Sequence, residues 1–302
     1  MFSLGDNISV LRNGQLAGHS PKISDVDTSW VIQKMTGEDI DITKTYRPNN
    51  PPGEVLLDVK NLSGKGFKNI SFSVKKGEIL GFAGLVGAGR SEIMQTVFGF
   101  LPEKSGEVYF RGNKQKMRDT TVSIKNGVIY LTEERKTHGI FPQLSVRENT
   151  NVLQKDKIST LGIVNSRADV RIAKKVIEEY NVKTSSCDTK IINLSGGNQQ
   201  KVLIGRTMEA TPQVIIFDEP TKGIDVKTKE EIYAMMQNLA EEKGIGVILI
   251  SSEMEELLKC SNRIVSIYHG EKVGEFEGEQ LNNTNILRSI LGIDKVEKEE
   301  TT

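Results

Sequence analysis

Ile79-Leu80-Gly81-Phe82-Ala83-Gly84-Leu85-Val86-Gly87-Ala88-Gly89-Arg90-Ser91 reads as an apolar strand running into a glycine-rich loop. The strand is of the kind covered on both faces. The run Glu92 to Phe98 that follows has helical spacing. Strand, glycine loop and helix in this order is the context that a phosphate-binding loop of pattern G-x-x-x-x-G-K-[ST] requires. In such a loop Gly84, Gly87, Ala88 and Gly89 let backbone amides converge on phosphate oxygens, and the helix dipole adds to the attraction. Ser91 would offer its hydroxyl to Mg²⁺. Arg90 stands where the pattern has lysine. It keeps the charge, but its planar fork is bulkier and cannot act as a compact point charge. Nucleotide binding is compatible with that change, and correct placement of a terminal phosphate is what it puts in question. Taken alone, the stretch also fits a plain strand–turn–helix.

Outward from this loop the chain alternates strands and helices from Glu54 onward. Val55 to Val59 and Ile70 to Val74 read as short strands, as do Val108 to Phe110 and Val128 to Leu131. Residues 145–190 read mainly as helices, with Ala168 to Tyr180 the clearest. Val214 to Phe217 and Val247 to Ile250 are buried strands with the helix Lys229 to Lys243 between them. This alternation predicts an α/β fold with a mostly parallel core sheet flanked by helices. The early short strands form a small antiparallel β subdomain beside it, and a helical subdomain occupies about 145–195.

Two further stretches carry chemistry. Val214-Ile215-Ile216-Phe217-Asp218-Glu219 ends a buried strand with two carboxylates. Asp218 is placed to hold Mg²⁺, and Glu219 to orient or deprotonate an attacking water. The alternative is that the acids merely end a strand. Leu194-Ser195-Gly196-Gly197-Asn198-Gln199-Gln200-Lys201 reads as a helix entrance. Ser195 can cap, Gly196 and Gly197 leave amides uncovered, and Asn198 to Ala210 has helical spacing. Such a tip is a ready anion site, and it is equally an ordinary capped helix.

Composition bounds the remaining possibilities. Of 302 residues, 40 are basic and 40 acidic, a balance with no nucleic-acid footprint. The two cysteines, Cys187 and Cys260, have no metal spacing, so a reduced, intracellular setting is the simpler expectation. His19, His138 and His269 have no partners at metal spacing and are expected at the surface. No apolar run approaches the ~18 residues needed to span a bilayer. The segment Met1 to Gly5 lacks the charged and apolar regions of a signal peptide. A membrane role would therefore go through a partner.

The two ends resemble each other. Ile8 to Gly18 reads as a hairpin with an Asn13-Gly14 turn, and Ile264 to Gly274 has the same pattern 256 residues later. Each is followed by a helix-like stretch ending in glycine, Trp30 to Gly37 and Ile286 to Gly292. An internal repeat is inferred, the competing reading being two unrelated hairpins. Residues 38–53, with Pro48, Pro51 and Pro52, read as an interdomain linker, and 295–302 as a charged, solvated tail.

The order of the motifs is more specific than any one of them. The loop at 84–91, the octet at 194–201 and the Asp-Glu strand end at 214–219 together resemble the ATP-binding subunits of ABC transporters, with the octet similar to their signature motif. Pro220 to Asp225 resembles the family's D-loop, and Ile250-Ser251-Ser252-Glu253 its switch-histidine segment. The resemblance covers about Glu54 to Asp294 and implies a P-loop NTPase of ABC type.

A closer resemblance is to bacterial monosaccharide importers of the galactose/methyl-galactoside and ribose types, whose ATPase is a tandem of two such domains. The segments that carry it are Gly84 to Arg90, Tyr130 to Lys136, Asn198 to Lys201 and Ser251 to Met254. It implies that 54–294 is the second nucleotide-binding domain and 1–37 the tail of a truncated first one. Three departures stand out. They are Arg90 for lysine, Ser252 for the histidine at the γ-phosphate, and Glu133 for a metal- and water-contacting glutamine. Phe67 is the nearest aromatic that could stack on adenine, although a core position suits it better. The resemblance further implies ATP and Mg²⁺ as ligands. The implied partners are a first ABC domain in a head-to-tail dimer, an integral membrane permease and, indirectly, an extracytoplasmic sugar-binding protein, with no nucleic acid. The implied location is peripheral, on the cytoplasmic face of the cell membrane. A translation or DNA-repair ABC protein is an alternative, as is a non-catalytic regulatory module. Coiled-coil insertions or basic arms would favour the former, and the sequence shows neither.

Overall fold

Side-chain alternation assigns each residue of the central sheet to one of two cores. The computed structural model describes residues 5–12, 15–27, 30, 31, 33, 34, 46, 48, 50–115 and 118–293. In chain order the strands are β1 (Ile8–Arg12), β2 (Gln15–Ser20), β3 (Val55–Gly64), β4 (Phe67–Lys75), β5 (Ile79–Ala83), β6 (Ser105–Phe110) and β7 (Asn113–Lys114). There follow β8 (Val128–Leu131), β9 (Ser159–Thr160), β10 (Ile163–Val164), β11 (Val214–Asp218), β12 (Gly246–Ile250), β13 (Arg263–Tyr268) and β14 (Glu271–Glu277). The helices are α1 (Arg90–Phe98), α2 (Thr120–Lys125), α3 (Val146–Asn151), α4 (Ser166–Glu179), α5 (Gly196–Glu209), α6 (Val226–Glu241), α7 (Met254–Cys260) and α8 (Asn283–Ile290).

The core sheet has the order β14-β13-β5-β12-β11-β8. All its pairs are parallel except β13 with β14. A second sheet, β4-β3-β6-β7, is antiparallel throughout. Because strand side chains alternate between faces, Ile79, Ile215, Phe217, Val247 and Leu249 join one core, with residues of α4, α5, α6 and α7. Leu80, Phe82, Val214, Ile216, Ile248 and Ile250 join the other, with the antiparallel sheet and α1. This is the expected α/β fold. The loops leaving β5, β11 and β12 emerge together at the carboxyl edge of the parallel strands, where open α/β sheets hold their ligands.

Two expectations need correction. The short strands at Val55–Val59 and Ile70–Val74 are instead a hairpin of 10 and 9 residues. Register shifts interrupt its pairing, and Asn61 (φ 49°) and Asn69 (φ 53°) sit at left-handed positions. Bulges break the simple alternation that marks a strand in sequence. Residues 145–190 are less helical than expected. Between α3 and α4 lie a 3₁₀ turn at Val152–Gln154 and the small β9–β10 hairpin. Its turn residues, Leu161 (φ 52°) and Gly162 (φ 81°), are both left-handed. A leucine is not the residue that such a turn advertises, so the hairpin escaped the reading.

The β1–β2 and β13–β14 hairpins share one register. Ile8 faces Ser20 and Val10 faces Gly18, with a shift between Val10 and Leu11. Residues 256 positions later repeat the pattern, since Ile264 faces Phe276 and Ser266 faces Gly274, with a shift between Ser266 and Ile267. Trp30 and Val31 pack with Ile8, Val10 and Ile23, as Ile286 and Ile290 of α8 pack into the core beside β13. Asn13, Gly14, most of 35–49 and 294–302 lie outside the described residues, and with them the Asn-Gly turn, most of the linker and the tail.

Candidate functional site

The glycine loop leaves β5 at the middle of the sheet and enters α1. Gly89, at φ 99°, is the N-cap of α1, and no side chain caps that helix. A Cβ at Gly89 would come within 3.2 Å of the Gly66 carbonyl, so the left-handed backbone and the tight approach both call for glycine. The N-terminal amides of α1 face a cleft of about 350 Å³. Gly87, Ala88, Gly89, Arg90, Ser91, Glu133, Asp218, Glu219 and Ser252 all line it. Gly84 does not line it, and a Cβ there would meet the Ile267 carbonyl at 2.7 Å. Phe67 is buried in the core, as the sequence suggested.

Asp218 is buried at the end of β11. The Ser91 hydroxyl donates to its Oδ1 at 3.0 Å, and the Tyr130 hydroxyl donates to Oδ2. Burial pushes the Asp218 carboxyl up to about 6, tempered by these two donors. A serine hydroxyl beside a carboxylate is an all-oxygen pair, the donor set Mg²⁺ takes, usually with one or two protein oxygens and the rest from phosphates and water. The residues present therefore fit that ion. Among the described residues no cluster of three or more His, Cys, Asp or Glu could hold a metal by itself.

Glu219 holds a left-handed backbone (φ 48°) and donates its amide to the Ile250 carbonyl at 2.9 Å. A non-glycine residue in this region stores strain and is found at functional sites more often than elsewhere. Two of the three sequence departures converge on its carboxylate. Arg90 Nη2 lies 3.4 Å from Oε1, and Ser252 Oγ donates to Oε2 at 3.1 Å. Arg90 is only 7% exposed, and its Nη1 donates to the Ser251 carbonyl. Burial pulls its guanidinium below the usual arginine value, while Glu219 and Asp218 oppose that pull. The third departure, Glu133, is ion-paired with Lys222.

Ser195, Gly196 and Gly197 are not in this cleft. Ser195 is exposed and caps α5, accepting from the Asn198 amide. Gly196 and Gln199 line a separate concavity of about 300 Å³ with Arg135 and Gly223. Gly197 is packed so tightly that a Cβ would stand 2.3 Å from Thr228 Cγ2. The residues after it anchor the helix. Gln199 Nε2 donates to the Ile191 and Leu194 carbonyls, and Lys201 pairs with Glu231 while donating to the Asn181 carbonyl.

Sequence reasoning missed several groups. Gln95 lies one helical turn after Ser91, lines the cleft and donates to the Tyr130 hydroxyl at 3.4 Å, a placement that i, i+4 spacing could have revealed. Tyr130 stands out only as part of a family-like segment. Lys222 and His138 line the cleft, and nothing local in the sequence announces them. His19, His138 and His269 are exposed, as expected.

Residues 67–222, just over half of the chain, match the model of the ABC transporter family, and the chain belongs to that family. The fold agrees. An ATP-binding cassette of an ABC transporter, MJ1267, aligns with a TM-score of 0.69 at 24% identity over 80% of this chain and 99% of its own. The cassette MJ0796, solved as a dimer in a post-hydrolysis state bound to ADP and phosphate, aligns with a TM-score of 0.64 at 23% identity over 76% of this chain and all of its own.

Among curated proteins the chain is similar to the ribose import ATP-binding protein of Caldanaerobacter subterraneus subsp. tengcongensis, 39% identical over 97% of this chain. It is also similar to the galactose/methyl galactoside import ATP-binding protein of Clostridium tetani, 41% identical over 95% of this chain. The xylose import ATP-binding protein of Thermoanaerobacter pseudethanolicus is 39% identical over 97% of it. These matches span only 59%, 57% and 59% of the relatives' own lengths. No helix among the described residues is long and apolar enough to cross a membrane.

Proposed function

We propose that the chain is the second half of the ATP-binding subunit of a bacterial monosaccharide importer, working at the cytoplasmic face of the membrane through a permease fed by a sugar-binding protein. In this reading residues 54–294 form the nucleotide-binding domain, and 1–37 repeat the end of a first one across the linker 38–53. The common hairpin register at a spacing of 256 residues supports the repeat. The relatives' names support sugar import. The observation that carries the reading is the separation of the two anion-binding tips. The α1 N-terminus lines one concavity, and Gly196, next to the exposed Ser195, lines another, so this chain does not bring the two tips to one phosphate. A second cassette, docked head to tail, supplies each tip with its counterpart.

The residues then take these roles. The amides of Gly87 to Gly89 and the α1 terminus bind phosphate. Ser91 and Asp218 hold Mg²⁺, which when bound neutralises charge on the phosphate oxygens. Glu219 orients water and accepts its proton. Ser195 to Gly197 face the γ-phosphate of ATP held by the partner cassette. In this chain's own cleft Glu219 is shared between Arg90 and Ser252, and its strained backbone restricts relocation. That site binds nucleotide and turns it over poorly. The productive site is the one Ser195 completes.

The test is ATP hydrolysis by the chain alone and after addition of the first cassette of a relative. Near-zero turnover alone and rescue by the cassette are expected. Robust turnover by the monomeric chain would contradict the proposal.

A further inference from the structure

We infer that Lys222, in the loop after β11, supplies the cation for the polyphosphate tail of a nucleotide in this chain's own cleft, in place of the P-loop residue Arg90. The inference rests on the nucleotide reading of that cleft.

Five carboxylates line the cleft, those of Glu92, Glu133, Glu134, Asp218 and Glu219. Against them stand two side chains of the always-cationic kind, Arg90 and Lys222. A polyphosphate carrying three or four negative charges cannot enter such a surface on backbone amides and one metal ion without a free cation to offset it.

Arg90 is not that cation. It is 7% exposed, one amino group of its fork donates to the Ser251 carbonyl, and the other lies against Glu219. Bringing it to phosphate would leave a buried carbonyl unpaired and strip Glu219, whose side chain is only 10% exposed, of its counter-charge, both costly.

Lys222 has the opposite properties. Its side chain is 65% exposed and its partner is Glu133, itself 36% exposed. An exposed pair of this sort is worth little and exchanges readily. The ammonium also feels Glu219 and Glu134, so it sits in the negative field of the cleft. Its backbone is fixed at the same time. The Lys222 amide donates to the Glu219 carbonyl at 3.2 Å, and the next residue, Gly223, closes the turn at φ 69°. A flexible four-carbon stem on a fixed loop is well suited to follow a phosphate as a point charge. Glu133 then acts as the resting partner that a polyphosphate displaces.

The experiment is equilibrium titration of the full chain with MgATP, MgADP and AMP, following a fluorescent nucleotide or heat. Lys222→Gln is expected to weaken MgATP about tenfold, a change of about 1.4 kcal/mol, and to leave AMP unchanged. Lys222→Arg should restore most of the affinity. Glu133→Gln should tighten MgATP two- to threefold, because it releases Lys222 and removes a negative charge. Equal weakening of MgATP and AMP by Lys222→Gln would indicate a merely structural role and overturn the inference. Unchanged MgATP affinity in Lys222→Gln, with clear binding by the wild type, would overturn it and leave the nucleotide reading standing. Absence of any nucleotide binding by the wild type would overturn both.

Discussion

At the scale of single residues, Arg90 and Ser252 act on one and the same group, gripping the two oxygens of the Glu219 carboxylate. Replacing either one would leave the other hold intact. If the productive site is the one that Ser195 completes, Glu219→Gln leaves at least half of the ATPase rate of a reconstituted pair, whereas Ser195→Arg lowers it more than tenfold. Steady-state phosphate release by the two variants, each mixed with the partner cassette, checks this. The Gly197 position makes a separate prediction about stability. A methyl group there meets Thr228 Cγ2 at 2.3 Å, so Gly197→Ala should cost about 1–3 kcal/mol through overpacking. Thr228→Ser removes the offending methyl and should recover much of that loss in urea unfolding.

At the scale of elements, one buried carboxylate ties the loops together. Glu256 of α7 accepts from the Thr221 hydroxyl at 3.0 Å and from the Ser251 hydroxyl. It thus joins the loop after β11 to the loop after β12. Burial pushes this carboxyl up to about 7 from an ordinary 4.5, with Glu253 adding to the rise and the two hydroxyls and Lys229 opposing it. Tyr233 and Cys260 pack nearby and are uncharged at neutral pH. A carboxyl with a raised native pKa favours folding while it is protonated, and the benefit is lost as pH climbs from about 4.5 to about 7. The unfolding midpoint of the wild type relative to Glu256→Gln should therefore fall across that interval and level off above it. A constant difference between the two proteins from pH 5 to 8 would show that the carboxyl is not desolvated. None of this was legible beforehand, because a glutamate in Met254-Glu255-Glu256-Leu257 looks like any helical surface acid. The strand–loop–helix at 79–98 was legible because burial on both faces and the glycine spacing each leave a local mark. Long-range partners such as Tyr130 with Asp218, or Lys222 with Glu133, leave none.

At the scale of the whole molecule, what the sequence conveyed best was order, in that the phosphate loop and the acidic strand end meet at the carboxyl edge of the sheet, while the serine–glycine tip between them in the chain lies outside that cleft. The division of those residues between two concavities leaves no mark in the residues themselves, and the sequence suggested it only through the head-to-tail pairing that the family resemblance implies. The hairpin at Ile8 to Gly18 is legible from its strand pattern and Asn-Gly turn, and the agreement of its register with β13–β14 extends to the misaligned step within each ladder. If both hairpins are the same part of two successive cassettes, exchanging residues 8–20 for 264–276 should leave the thermal midpoint within a few degrees. Calorimetry on the chimera would reveal a collapse if the two were merely alike in outline. The short turn after β11 has a further consequence. Lys222 faces one concavity and its neighbour Gly223 the other. A single peptide unit is thus a common partition, and any tilt that admits a guest on one side alters the room on the opposite side. If ligands at the two sites influence each other, this shared wall is the shortest route between them.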